Sequence, residues 1–382
     1  MNLKKIGLAL AVAGSAYLSM PHMAVSEGLE YDVHTASVAP IPASERHLTT
    51  VEAEPFFKVG DAANVLEGVV YDRDGNIYFC EVGAGKIHKL DKNRKLTTIA
   101  ELGEFHPSGL AIHPDGRIFA AGNSDNITRG AIIALSPDGG ERSIILPQDA
   151  GFIPNDLVVA KNGGVYFTDF KGDMTNPAGG VYYLPPGYST PSLVSANIAN
   201  ANGVALSPDE KVLWVGDYGR GVIFRIVLNG DTEIDRVHST PVYYFTGRGP
   251  DGMRVDTDGN LYVATMSQGK VLVLNPIGIP IGQVLLPERD SGRNLYGASL
   301  AIDPESRDLI IAAMDDKGGG ANLFKTQAYA PGLKIPAWPK QTPTTAPASN
   351  APAAASIDSS TESPARTAIK SPEPDANSRP ME

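Results

Sequence analysis

Between residues 67 and 303 one six-residue phrase returns six times, and this repetition constrains the fold more than any other feature of the chain. The copies are Glu67-Gly68-Val69-Val70-Tyr71-Asp72, Ser108-Gly109-Leu110-Ala111-Ile112-His113, Asn155-Asp156-Leu157-Val158-Val159-Ala160, Asn202-Gly203-Val204-Ala205-Leu206-Ser207, Asp251-Gly252-Met253-Arg254-Val255-Asp256 and Ala298-Ser299-Leu300-Ala301-Ile302-Asp303. Their first positions stand 41, 47, 47, 49 and 47 residues apart. Periods in the forties that each hold several short strands mark propeller blades. The turns at Asp74-Gly75, Asp115-Gly116, Asn162-Gly163 and Asp258-Gly259 use pairs that tolerate the positive φ of tight hairpins. The second strands, such as 164–168 and 212–215, are almost continuously apolar, as expected where neighbouring blades cover both faces. Third strands are expected over 86–90, 180–184, 222–226 and 271–274. Outside the N-terminus no segment carries the 3.6-residue period of a long amphipathic helix. The expected fold is all-β: a six-bladed β-propeller of four-stranded antiparallel blades around a central channel, spanning residues 27–330.

The innermost strands of a propeller run along its axis, so equivalent repeat positions form rings. The first ring reads Glu67, Ser108, Asn155, Asn202, Asp251 and Ala298. Two carboxylates converging on a narrow axis repel unless protonated or bridged by a cation. Every candidate ligand is an oxygen, with neither Cys nor His among them, which favours a hard cation over zinc. Calcium suits the irregular set Glu67, Asn155, Asn202 and Asp251, with magnesium as the other divalent choice. The competing readings are a polar, water-filled channel and a purely structural ion. The phrases 72–76 and 256–260 do not meet the EF-hand spacing and read as hairpin turns. Neither His-Glu-x-x-His, nor Gly-x-Ser-x-Gly, nor a Walker loop is present.

Outside the repeats the two ends differ from the middle. Lys4 and Lys5, the apolar run from Ile6 to Met20 and the small residues Ala24-Val25-Ser26 form an export-signal pattern over residues 1–26. The run is shorter than the roughly 20 residues of a spanning helix, so no membrane span is expected in the mature protein. The single cysteine, Cys80, excludes an intrachain disulfide and reads as a small buried hydrophobe. Together these point to a periplasmic or secreted location. Residues 331–382 hold ten of the 30 prolines among Ala, Ser and Thr, a composition expected of a disordered tail. A net charge of −11 without a basic stripe argues against nucleic acid. Leu48-Thr49-Thr50-Val51-Glu52-Ala53 echoes Leu96-Thr97-Thr98-Ile99-Ala100-Glu101, the expected outer strand of blade one. By that analogy, 48–53 is expected to close blade six.

From about Glu54 to Gln327 the chain resembles the regucalcin and gluconolactonase family of six-bladed propellers, itself similar to the paraoxonases and diisopropylfluorophosphatase. The resemblance lies in Leu66-Glu67-Gly68, Pro154-Asn155-Asp156-Leu157, Asn202 to Asp209 and Pro250-Asp251-Gly252-Met253. It implies that Glu67, Asn155, Asn202 and Asp251 bind a catalytic metal, usually calcium, and that the reaction is hydrolysis of a lactone or a related ester. It also implies a base or nucleophile at Asp251. The sugar-lactone members often carry Arg-x-Asn-Asp-Gly in the second blade, where this chain has His106-Pro107-Ser108-Gly109, so donors that would grip a polyol are absent. His106 offers a second base or a substrate hydrogen bond, against the plainer reading of a turn histidine. Ser108, Asn123, Asp169, Tyr218 and Tyr296 are candidate substrate-binding residues near the channel mouth. Two other functions fit the sequence: a non-catalytic ligand-binding or scaffold propeller, suggested by the proline-rich tail, and a strictosidine-synthase-like enzyme, suggested by 201–207. The phrase at Pro250 speaks against the latter.

Overall fold

A computed structural model describes residues 30–124 and 126–337; residues 1–26, read as a leader, and 338–382 of the proline-rich segment lie outside the described residues. Six sheets surround a common axis. Their inner strands are Leu66–Tyr71, Phe105–Ile112, Pro154–Val159, Ala201–Leu206, Pro250–Val255 and Tyr296–Ile302. Each is followed outwards by antiparallel neighbours. Both the repeat period and the six-bladed, four-stranded architecture read from it are therefore present.

Hydrophobic burial explains the apolar second strands. Val212–Asp217 and Val165–Asp169 are buried along their whole length. One hydrophobic core fills each of the six interfaces between successive blades; Phe79 and Ile310, for example, pack between blades one and six. Cys80 is fully buried, and burial pushes its thiol pKa up, with the charges of Glu67 and Asp156 adding to the effect.

Ring closure differs from the sequence expectation. The outer strand of blade six is Glu54–Gly60, antiparallel to Gly320–Gln327. Thr49–Glu52 instead pairs in parallel with Pro280–Leu285 and gives blade five a fifth strand. Apolar content decides this: Phe56, Phe57 and Val59 pack onto the core between blades six and one, whereas all four residues of Thr49–Glu52 are exposed. The N-terminal segment is also pinned from inside, because buried Glu45 takes Lys270 Nζ and the Tyr243 hydroxyl on its carboxylate.

Residues 331–337, which composition groups with the tail, lie across the lower mouth of the channel. Gly332 bridges to Asp256 and donates to Asp303 O at 3.0 Å, while Pro331 O accepts from Thr257 N at 2.8 Å. Lys334 pairs with Glu305 at 2.8 Å, and Arg73 Nη2 donates to Pro336 O at 2.7 Å. The strap is held mostly through main chain, which is why its composition does not reveal it.

Candidate active site

Every inner strand breaks register at the first repeat position: between Glu67 and Val70, Pro107 and Leu110, Pro154 and Leu157, Ala201 and Val204, Pro250 and Met253, and Gly297 and Ser299. Such a bulge bends the strand and re-aims a side chain. The glycine that follows lets adjacent strands approach. A Cβ on Gly203 would sit 2.2 Å from Asp251 O, and one on Gly68 would sit 2.6 Å from Ser108 O. The repeat phrase therefore encodes a tight ring whose first position meets the channel.

Asn155, Asn202 and Asp251 are buried in that ring, and Glu67 keeps part of its surface open. Asn155 Oδ1 and Asp251 Oδ1 are two of only four buried side-chain polar atoms without a hydrogen-bond partner among the described residues. Burial raises the Asp251 pKa to about 8, Asp156 adding to the rise while the Asn202 amide and Gly252 N–H oppose it. Burial also holds Glu67 well above the usual carboxylate range, reinforced by Asp251 and Asp156. Two acids that ionise only at a cost, one of them with an oxygen that lacks a donor, beside an amide oxygen that lacks one too, are the arrangement a cation relieves. No three His, Cys, Asp or Glu side chains cluster as metal ligands among the described residues, and the oxygens of the ring come from the two carboxylates of Glu67 and Asp251 and the two amides of Asn155 and Asn202. That oxygen-only set fits calcium.

Three further channel residues are absent from the candidates of the sequence reading. Asp156 fills the position that is glycine in four blades, and it accepts from Leu157 N at 2.8 Å and Val204 N at 3.3 Å. Ser299, the other exception, accepts from Val69 N at 3.0 Å. Each side chain thus caps a backbone donor of the next blade. Arg254 reaches across from blade five: Nη2 donates to Val69 O at 3.1 Å and Leu110 O at 3.4 Å, and Nη1 lies 3.7 Å from Asp156 Oδ2. It forms a floor under the acid–amide ring. Beyond it lies a cavity of about 340 Å³ that ends at the strap.

The remaining candidates divide. His106 and Asn123 are cross-strand partners in blade two. His106 Nδ1 donates to Val82 O at 2.7 Å. Tyr218 lies 6.2 Å from Phe170, ring to ring, and Tyr296 begins the inner strand of blade six with its phenol bonded to Asp316. Ser108 and Asp169 serve the scaffold instead. Ser108 Oγ donates to Asn155 O at 2.7 Å; Asp169 accepts from Ile153 N at 2.7 Å and faces Lys171 at 3.0 Å. Asp217, at the matching place in blade four, binds Ala199 N and Arg220 in the same way.

Fold and ring together define a six-bladed propeller with an oxygen-donor site on its axis. The chain belongs to the SMP-30/Gluconolactonase/LRE-like family, whose model matches residues 65–298. The lactonase drp35 of Staphylococcus haemolyticus is 42% identical over 311 residues, which cover 80% of this chain and 95% of that protein. The Staphylococcus epidermidis lactonase drp35 is 39% identical, over 80% of this chain and 96% of its own. Among solved structures, a calcium-binding protein, regucalcin, from Agrobacterium tumefaciens shares the fold with a TM-score of 0.62 at 18% identity, covering 75% of this chain and 98% of its own. A gluconolactonase from Xanthomonas campestris does so at 0.58 and 20%, covering 72% and 95%.

Proposed function

We propose that this protein is a divalent-cation-dependent lactonase, with calcium as the fitting ion. The single observation that carries the metal reading is the pair of buried, unpartnered oxygens Asn155 Oδ1 and Asp251 Oδ1. Similarity to the staphylococcal lactonases supports the reaction class. Glu67, Asn155, Asn202 and Asp251 are the residues that would hold the ion. Bound there, calcium supplies fixed positive charge that polarises an ester carbonyl and offsets the charge developing on its oxygen. Charge counting favours a divalent ion, because the ionised carboxylates of Glu67, Asp156 and Asp251 face only the Arg254 guanidinium, leaving two negative charges uncompensated.

The chain's own residues then divide the work. Asp251, oriented by the Asn202 amide and Gly252 N–H, takes a proton from the attacking water. The water oxygen bonds to the carbonyl carbon, the ring C–O bond breaks, and the proton passes to the leaving alkoxide, giving a hydroxy acid. His106, paired across the strands with Asn123, stands as the second base or substrate hydrogen-bond partner at the rim. Tyr218 and Tyr296 wall the mouth. The N-terminal signal pattern supports a periplasmic or secreted location. No helix among the described residues is long and apolar enough to cross a membrane.

A panel of lactones and aryl esters, assayed with and without chelator, tests this reading. Lactone opening that stops on chelation and returns with calcium is the expected result. Full activity after exhaustive chelation would remove the cation from the proposal, and absence of turnover on every lactone would remove the reaction.

A further inference from the structure

We propose that Arg248 recognises a carboxylate at the channel mouth, so that preferred substrates are lactones bearing an acidic substituent; this rests on the lactonase reading above. Arg248 lies in the connection between Ile234–Tyr244, the outer strand of blade four, and Pro250–Val255, three residues before Asp251. Connections from an outer strand to the next inner strand gather at the end of the channel where the first repeat position lies. Topology therefore puts Arg248 at the mouth.

The loop that carries it is braced. Gln268 Nε2 donates to Thr246 O at 3.1 Å and to Arg248 O at 2.9 Å, and Gln268 O accepts from Arg289 Nε at 3.0 Å. Gly249 packs so closely on blade four that a Cβ there would lie 2.6 Å from Tyr218 O. The backbone is held while the Arg248 side chain is exposed, without an ion pair or side-chain hydrogen bond among the described residues.

Three cations near the same end are already committed. Lys171 pairs with Asp169 at 3.0 Å, Arg220 with Asp217 at 2.5 Å and Arg293 with Asp315 at 2.5 Å. Arg248 differs from these three in having no carboxylate of its own. Its charge acts on the Tyr296 phenol of blade six, against the larger effect of Asp316. A planar fork of donors fixed at the backbone and lacking an internal acceptor suits a carboxylate, which it engages through two parallel hydrogen bonds.

The test compares kcat/KM for γ-butyrolactone carrying a ring carboxylate with that for unsubstituted γ-butyrolactone. The wild type should favour the acidic lactone. Arg248→Met should lower the ratio about tenfold through KM for the acidic lactone, and Arg248→Lys should restore part of it. A wild-type ratio at or below one, or an unchanged ratio in Arg248→Met at an intact melting temperature, overturns the proposal. Should the wild type open neither lactone, the lactonase reading fails and binding decides. Glutarate, titrated calorimetrically, must then bind the wild type about tenfold more tightly than Arg248→Met, and equal binding overturns the assignment.

Discussion

Arg254 and Asp156 meet inside the channel, with Nη1 3.7 Å from Oδ2, although one belongs to blade five and the other to blade three. The same guanidinium donates to the main chain of blades one and two, and Asp156 reaches the Val204 N–H of blade four. Five blades are therefore tied by two side chains.

Removing Arg254 should be costly. Arg254→Met strips Asp156 of its cation and Val69 O and Leu110 O of a donor. Urea unfolding should show a loss of about 2–4 kcal/mol, reduced from a fully buried pair because the guanidinium is partly exposed. Adding Asp156→Asn to that variant should cost less than Asp156→Asn alone, and strict additivity would show that the two residues act independently.

Stability without metal should fall as pH rises. The Asp251 pKa is raised to about 8, so between the ordinary carboxylate range and pH 8 the folded protein keeps a proton that the unfolded chain has lost. Fewer protons in the unfolded state mean that stability drops across that window and levels off above it. Glu67 shifts the same way. Calcium should reverse the trend, raising the melting temperature more at pH 8 than at pH 5, and binding at pH 7 should release protons. Melting curves in chelator and in calcium, with a pH-stat titration, check this; a flat chelator profile would contradict the raised pKa.

Asp251→Asn separates ligation from basicity, since the amide keeps an oxygen donor. Calcium binding by calorimetry should survive in weakened form while kcat falls by about 10²–10⁴. A calcium-loaded variant with wild-type turnover would reduce Asp251 to a ligand.

Truncation should locate the functional end of the propeller. Ending the chain after Ala337 should leave the melting temperature unchanged. Ending it after Ala330 removes the strap, including the contacts to Asp303, Glu305 and Arg73, and should lower melting by about 2–6 °C. Equal melting of the two proteins would show the strap to be passive.

The period and first ring were legible because rotational symmetry turns a repeat position into a place on the axis. Asp156 and Arg254 were overlooked because each departs from the repeat: Asp156 stands where Gly68, Gly109, Gly203 and Gly252 stand, and Arg254 where Val70, Ala111, Val158, Ala205 and Ala301 stand. Departures of that kind, a charge where the other copies hold glycine or a small aliphatic residue, are the signal that would have found them. Asp169 shows the reverse. Its counterpart Asp217 makes the same kind of backbone contact, and repetition there marks scaffolding rather than chemistry. The closing strand was misplaced because a likeness between two threonine-rich segments outweighed the phenylalanines that follow, Phe56 and Phe57.

The pairing of Glu54–Gly60 with Gly320–Gln327 joins an early strand of the chain to its last strand among the described residues. During synthesis the early strand has no partner until nearly the whole propeller has emerged, and loop closure over such a span is slow. Any chain that stops short leaves a seam along blade six with an unpaired edge open to proteases and to other strands. Closure of the ring therefore acts as a test of completeness: only a chain translated past Gln327 can hide its own seam.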